Sequence, residues 1–228
     1  MAGYTLLLVD ADDTLFDFSA AERAALRDTF TRFSLPTDEA SLAQYHAINV
    51  RLWAELERGT IRPERLRVRR FEEFLAEIGA RIGADEVSRY FISALGAQAV
   101  PLPGAEQAVA RWAQRVPVVI ITNGIAAVQR ARFSHSPMNA HISAIVISEE
   151  VGAAKPDARM VDAALAGVPG TRKEDALLVG DSLSADIAAA HNAGIASCWY
   201  NPARKPNHSP YRPTHEIHTL DAVDALLS

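Results

Sequence analysis

The chain has 228 residues, 49% apolar and 22% charged, with a formal net charge of −5. That is enough to bury a full core in one domain, with or without an insert. The acidic balance excludes a nucleic-acid groove, and no apolar run approaches the ~20 residues that cross a bilayer.

The first element is a short strand over 5–10, apolar on both faces, inside "LLLVDADDTLFDF" (residues 6–18). It runs straight into Asp10, Asp12 and Asp13. Alternation along a strand points Asp10 and Asp12 the same way. Two carboxylates ~4 Å apart repel by about 4 kcal/mol at an effective dielectric near 20. A bound cation, a shared proton or catalytic use would compensate; the plain alternative is a loop that merely begins polar.

About a hundred residues separate this strand from the next, too many for a simple crossover. They read as helices over 20–33, 39–57, 63–78 and 85–97, punctuated by Pro36, Gly59, Gly79, Gly83 and the "PLPG" at 101–104. The densest basic stretch, 62–70, has apolar residues at helical spacing and reads as a solvated helix face. A helical insert over roughly 17–100 is expected above the acids, where a lid would sit. A helix over 105–115 returns to strands over 117–123, 144–148, 176–181 and 195–200, which alternate with helices over 157–166 and 184–193. That alternation predicts a parallel α/β sheet. Cys198, the single cysteine, lies in the apolar run "IASCWY" and reads as a core residue, so no intrachain disulfide forms. With no basic leader at the N-terminus, a soluble cytoplasmic protein is expected. A proline-rich loop over 201–214 precedes a last strand over 216–219.

Ligand sites in open parallel sheets lie beyond the carboxyl ends of the strands. The first strand leads to Asp10 and Asp12, the second to Thr122, Asn123 and Gly124, the third to Lys155, and the fourth to Asp181 and Asp186. Each has an ordinary reading alone: a turn, a surface lysine, a helix cap, a complement to a helix dipole. Together they combine carboxylates for a cation with a hydroxyl, amides and a lysine for a phosphoryl group. Hard oxygen ligands beside a phosphate suit Mg²⁺.

"DADDT", "ITNG", "AAKP" and "GDSLSAD" together resemble the four motifs of the haloacid dehalogenase superfamily of phosphatases. The resemblance implies a Rossmann-like parallel core (1–16 and 101–228) with a helical C1-type cap (17–100) inserted after the first strand. "DADDTLFDF", "NVRLWAELERGTI" and "VISEEVGAAKP" are similar to its house-cleaning pyrimidine 5′-nucleotidase subgroup. Asp13 stands where many members have glycine, and "FSHSPMNAH" (133–141) departs from the usual pattern.

By this resemblance Asp10 is the nucleophile and Asp12 the general acid and base. Asp10, the backbone carbonyl of Asp12 and Asp181 hold Mg²⁺, and Asp186 orients Asp181 or a metal-bound water. Thr122, Asn123 through its backbone amide, and Lys155 bind the phosphoryl oxygens. Asn49 and Trp53, one helical turn apart in the insert, are candidates to contact the substrate. The implied partner is a small phosphate, most closely a pyrimidine (deoxy)nucleoside 5′-monophosphate, taken by a monomer or homodimer. A phosphatase for phosphoglycolate or a sugar phosphate and a phosphomutase remain alternatives. A dehalogenase needs no acid at position 12, a phosphoacceptor receiver module would be about half as long, and a non-catalytic binder would lose a motif residue.

Overall fold

Six strands pair into one sheet in the computed structural model, which describes residues 3–228. They are β1 (Leu6–Val9), β2 (Val118–Thr122), β3 (Ala144–Ile147), β4 (Ala176–Gly180), β5 (Ala196–Tyr200) and β6 (His215–Ile217). Their order is β3-β2-β1-β4-β5-β6, and every neighbouring pair is parallel. β1, β2 and β4 are buried along their whole length, as strands covered on both faces must be. Leu7 and Val9 pack with Trp112 and Phe133, whereas Leu6 and Leu8 pack with Met160 and Ala189 on the opposite face. Helices α5 (Ala105–Ala113) and α6 (Ala126–His135) therefore cover one face. On the other lie α8 (Arg159–Ala166) and α9 (Ala188–Ala193). Chain order reverses between β1 and β4, which opens a crevice at their carboxyl ends.

Four helices lie between β1 and β2: α1 (Phe18–Arg32), α2 (Glu39–Glu57), α3 (Pro63–Glu77) and α4 (Ala84–Gly96). Asp17 and Asp38 cap the first two by accepting from the backbone N–H groups of Ala20 and Ser41, and Pro63 opens the third. Their apolar faces close on their own aromatic cluster. Within it Phe30 and Phe74 stack 4.7 Å apart, and Tyr45, Phe71 and Phe91 pack around them. The two crossings into this layer are pinned to each other: Asp17 N–H donates to Val100 O at 2.9 Å, and Leu102 N–H to Leu15 O at 2.8 Å. The layer rests on α6. Ile125 and Val128 join its cluster, and a Cβ on Gly96 would meet Ala131 Cβ at 3.1 Å.

The structure departs from the sequence reading at several places. Ser148 opens a short helix, α7 (Ser148–Val151), instead of ending β3. α8 starts at Arg159, because the Asp157 carboxylate first accepts from Arg159 N–H at 2.9 Å in a turn. The helix expected over 184–193 is divided: Leu183–Ile187 is a π-helical turn in which Ile187 N–H reaches back to Ser182 O at 3.1 Å. The last strand is His215–Ile217, and a 3₁₀ helix over Leu220–Leu226 follows it. The basic stretch is only partly a solvated face. Arg65 and Arg69 pair with Glu72 and Glu73, but Arg70 is 2% exposed.

Phe74→Ala removes a fully buried ring packed against Phe30 and Tyr45. The expected loss is about 3–5 kcal/mol in chemical denaturation. A loss below about 1 kcal/mol would show that the aromatic cluster does not hold this layer together.

Candidate active site

Asp10, Thr122, Lys155, Asp181 and Asp186 converge at the carboxyl ends of β1, β2 and β4, on the rim of one cavity of about 300 Å³. Lys155 is 3% exposed, and its Nζ donates to three oxygens: Asp10 Oδ1, Asp186 Oδ1 at 2.6 Å and Ile121 O at 2.9 Å. Asn123 holds the loop that carries it. The Asn123 amide donates to Lys155 O at 2.9 Å and accepts from Lys155 N–H at 2.7 Å. Thr122 Oγ1 accepts from Gly124 N–H at 3.0 Å and so shapes the turn after β2.

Asp186 lies beside Asp10 and Asp181. One carboxylate oxygen from each of Asp10, Asp181 and Asp186 lies within 4.8 Å of the others, and Asp12 is outside this group. The π-helical turn brings Asp186 back to accept from Ser182 N–H at 3.0 Å, and the missing side chain of Gly180 leaves it room. Trp199 Nε1 donates to Asp181 O at 2.8 Å and fixes that end of β4.

Burial raises the Asp10 pKa well above the ordinary carboxylate range; Lys155 opposes this, and Asp186 and Asp181 add to it. Burial, reinforced by Asp186 and Asp13, pushes the Asp181 carboxyl up to about 7. Burial also pulls on the Lys155 ammonium, but Asp10 and Asp186 more than offset it and the net shift is upward. Two buried carboxylates, Asp10 and Asp186, thus share one ammonium, with the half-buried Asp181 beside them. Such an excess of hard, anionic oxygen donors fits a divalent cation such as Mg²⁺.

Asp12 has separate partners. Gln129 Nε2 donates to its Oδ2 at 2.7 Å, and Arg132 Nη1 pairs with its Oδ1. Arg132 is fully buried, donates from Nε to Gln98 O at 3.1 Å, and lies over the rings of Phe16 and Phe18. The acids that looked mutually repulsive in sequence therefore pair with different cations, Asp10 with Lys155 and Asp12 with Arg132. Gly124 makes room for this: a Cβ there would fall 2.2 Å from Gln129 Nε2. Asp13 has φ of +58°, and its Oδ1 accepts from Phe18 N–H at 3.1 Å. A left-handed position tolerates aspartate and favours glycine.

Of the two residues singled out in the insert, Trp53 lines the cavity and Asn49 does not. Asn49 is 2% exposed, and both ends of its amide are engaged, with Glu22 and Arg70. Arg70 does line the cavity. Sequence reasoning missed Gln129, Arg132 and Arg70. A polar residue in a helix reads as solvent-facing, and the only available signal was its place among apolar neighbours on a buried face. Cys198 lies in the core, with burial pushing its thiol up to about 12.

Gly180→Ala would place a Cβ 2.6 Å from Asp186 Cβ and 2.3 Å from its Cγ, too near the backbone for the side chain to swing clear. Displacing Asp186 separates a buried charge from Lys155, and the expected loss of stability is about 3 kcal/mol. Parent-like denaturation of this variant would show that Asp186 is not held in place by that gap.

The haloacid dehalogenase-like hydrolase family matches residues 4–194. Pyrimidine 5′-nucleotidase PynA of Streptococcus pneumoniae is 33% identical over 98% of this chain and 95% of its own. For pyrimidine 5′-nucleotidase YjjG of Escherichia coli the identity is 31% over 97% and 96%. The magnesium-bound crystal structure of the HAD-hydrolase YfnB of Bacillus subtilis superposes with a TM-score of 0.91 over 98% of each chain, at 32% identity. On the family match, the near-complete coverage and the shared fold, this chain belongs to the haloacid dehalogenase-like hydrolases.

Proposed function

We propose that the chain is a Mg²⁺-dependent phosphomonoesterase that acts through an aspartyl-phosphate on pyrimidine (deoxy)nucleoside 5′-monophosphates. The observation that carries the chemistry is the cluster of Asp10, Asp181 and Asp186 beside the buried Lys155 at the rim of the cavity. The substrate class is supported by the similarity to PynA and YjjG. Residues 17–100 act as a cap domain above a core of residues 1–16 and 101–228. Their separate aromatic cluster and paired crossings support that division.

In this reading an Asp10 carboxylate oxygen attacks phosphorus in line. An O–P bond forms, the ester O–P bond breaks, and Asp12 gives its proton to the leaving oxygen. Asp12 then takes a proton from water as that water attacks phosphorus and releases Asp10. Gln129 and Arg132 hold the Asp12 carboxyl at a fixed place for both transfers. Lys155, Thr122 and the backbone N–H of Asn123 oppose the phosphoryl charge. Asp10, Asp181 and the Asp12 carbonyl would hold Mg²⁺ with Asp186 beside them, and the ion would neutralise charge on the transferring group.

Two outcomes are expected. Asp10→Asn keeps a side chain of the same size and loses the nucleophile, so kcat/KM falls at least about a thousandfold, or ~4 kcal/mol of barrier. Folded variant with near-parent turnover would exclude Asp10 as nucleophile. In a phosphate-release screen, UMP, dUMP and dTMP give higher kcat/KM than AMP, GMP, hexose phosphates or phosphoglycolate, and chelation of Mg²⁺ abolishes the activity. Phosphoglycolate or a hexose phosphate ahead of every pyrimidine nucleotide would overturn the substrate class, and full activity under chelation would overturn the metal.

A further inference from the structure

We propose that Arg70, on α3 of the cap, reads the substrate's base by donating a hydrogen bond to the 2-carbonyl oxygen that pyrimidines carry beside the glycosidic bond. Purines have no carbonyl at that place. The inference rests on the pyrimidine-nucleotidase reading above and assigns its specificity to one side chain.

Arg70 is 2% exposed and lines the same cavity as Asp10 and Trp53. Its guanidinium is held from several sides. Nε donates to Arg67 O at 3.3 Å and Nη1 to Asn49 Oδ1 at 3.2 Å. The group lies 4.7 Å from the centroid of the Phe91 ring and 5.5 Å from that of Phe71. Nη2 has no hydrogen-bond partner among the described residues. A buried donor left without an acceptor costs free energy. Here the donor belongs to a side chain fixed at the wall of the substrate cavity, so a substrate oxygen is the acceptor that removes the cost.

Charge decides which kind of oxygen. Asn49 Nδ2 donates to Glu22 Oε1 at 2.6 Å, so the Asn49 amide lies between the Glu22 carboxylate and the Arg70 guanidinium, its dipole aligned with both. Glu22 is 4% exposed and has His46 Nδ1 3.1 Å from its other oxygen. Its burial raises the carboxyl pKa, and His46 and Arg70 oppose that rise. With Glu22 and two aromatic faces already balancing the guanidinium charge, Nη2 needs an acceptor but not a second anion. A neutral carbonyl meets that need better than a carboxylate or a phosphoryl oxygen. Trp53 offers the plane against which a flat base can lie. Asn49 is then a positioning residue that aims Arg70.

The test compares kcat/KM of the full chain with Mg²⁺ on UMP, 2-thio-UMP, 4-thio-UMP, AMP, phosphoserine and p-nitrophenyl phosphate, for the parent and for Arg70→Met. In the parent, replacing the 2-oxygen by sulfur is expected to lower kcat/KM at least about tenfold relative to UMP, while 4-thio-UMP stays within about twofold. Arg70→Met is expected to lower the UMP to p-nitrophenyl phosphate ratio at least about tenfold and to make UMP and 2-thio-UMP alike. Equal parent turnover of UMP and 2-thio-UMP would overturn the proposal. So would a folded Arg70→Met that keeps the parent ratio, or one that loses phosphoserine hydrolysis while keeping UMP. If Arg70→Met does not fold, the parent's kcat/KM on UMP, 2-thio-UMP and 4-thio-UMP decides alone. A parent that turns over AMP as well as UMP defeats the pyrimidine preference itself, and this proposal with it.

Discussion

Lys155 carries a full charge into a site where it is 3% exposed, and the geometry around it follows from that constraint. A buried ammonium must find oxygen for each of its protons. Asp10, Asp186 and Ile121 O are those oxygens, and each requires something further of the chain. Asp186 reaches inward only because the helix after β4 begins with a π-helical turn and because residue 180 has no side chain. The loop bearing Lys155 stays in register only because Asn123 grips its backbone from both sides. One buried charge thus fixes the ends of β1, β2 and β4 against one another.

The two buried arginines extend the same logic to the helical layer. Arg132 reaches from Asp12 to Gln98 O, beside the return crossing, and packs over Phe18 at the start of α1. The carboxyl proposed as general acid and base is therefore anchored by a residue that also touches both crossings into the helical layer. Arg70 lines the same cavity, balanced by Glu22 through Asn49. Each has an Nη2 without a partner among the described residues. The sheet layer and the helical layer thus each place a fixed cation at the same cavity.

The sheet and four of the strand ends were legible because burial on both faces writes continuous apolar runs, and polar residues that interrupt such runs must have partners. The four helices of the insert were legible from their breaks, with bounds close to those observed. What was not legible depends on three-dimensional choices. The π-helical turn reflects the capture of Asp186 by Lys155 and Ser182, which no local periodicity encodes. Asn49 and Trp53 do share a helix face, but spacing does not say which end of that face meets the cavity. Trp53 does, while Asn49 is turned to Glu22 and Arg70. Arg70 looked like one more member of a basic run, and only packing against Phe71 and Phe91 sets it apart.

In the proposed reaction Asp10 becomes covalently phosphorylated, and a rapid-quench experiment addresses this directly. The chain is mixed with UMP labelled at phosphorus, quenched in acid within one turnover and digested, and the label is mapped on peptides. The account predicts a transient, hydroxylamine-sensitive phosphate on the peptide carrying Asp10, formed before free phosphate appears. Free phosphate released with no labelled peptide at any time, or label on a residue other than Asp10, would contradict it.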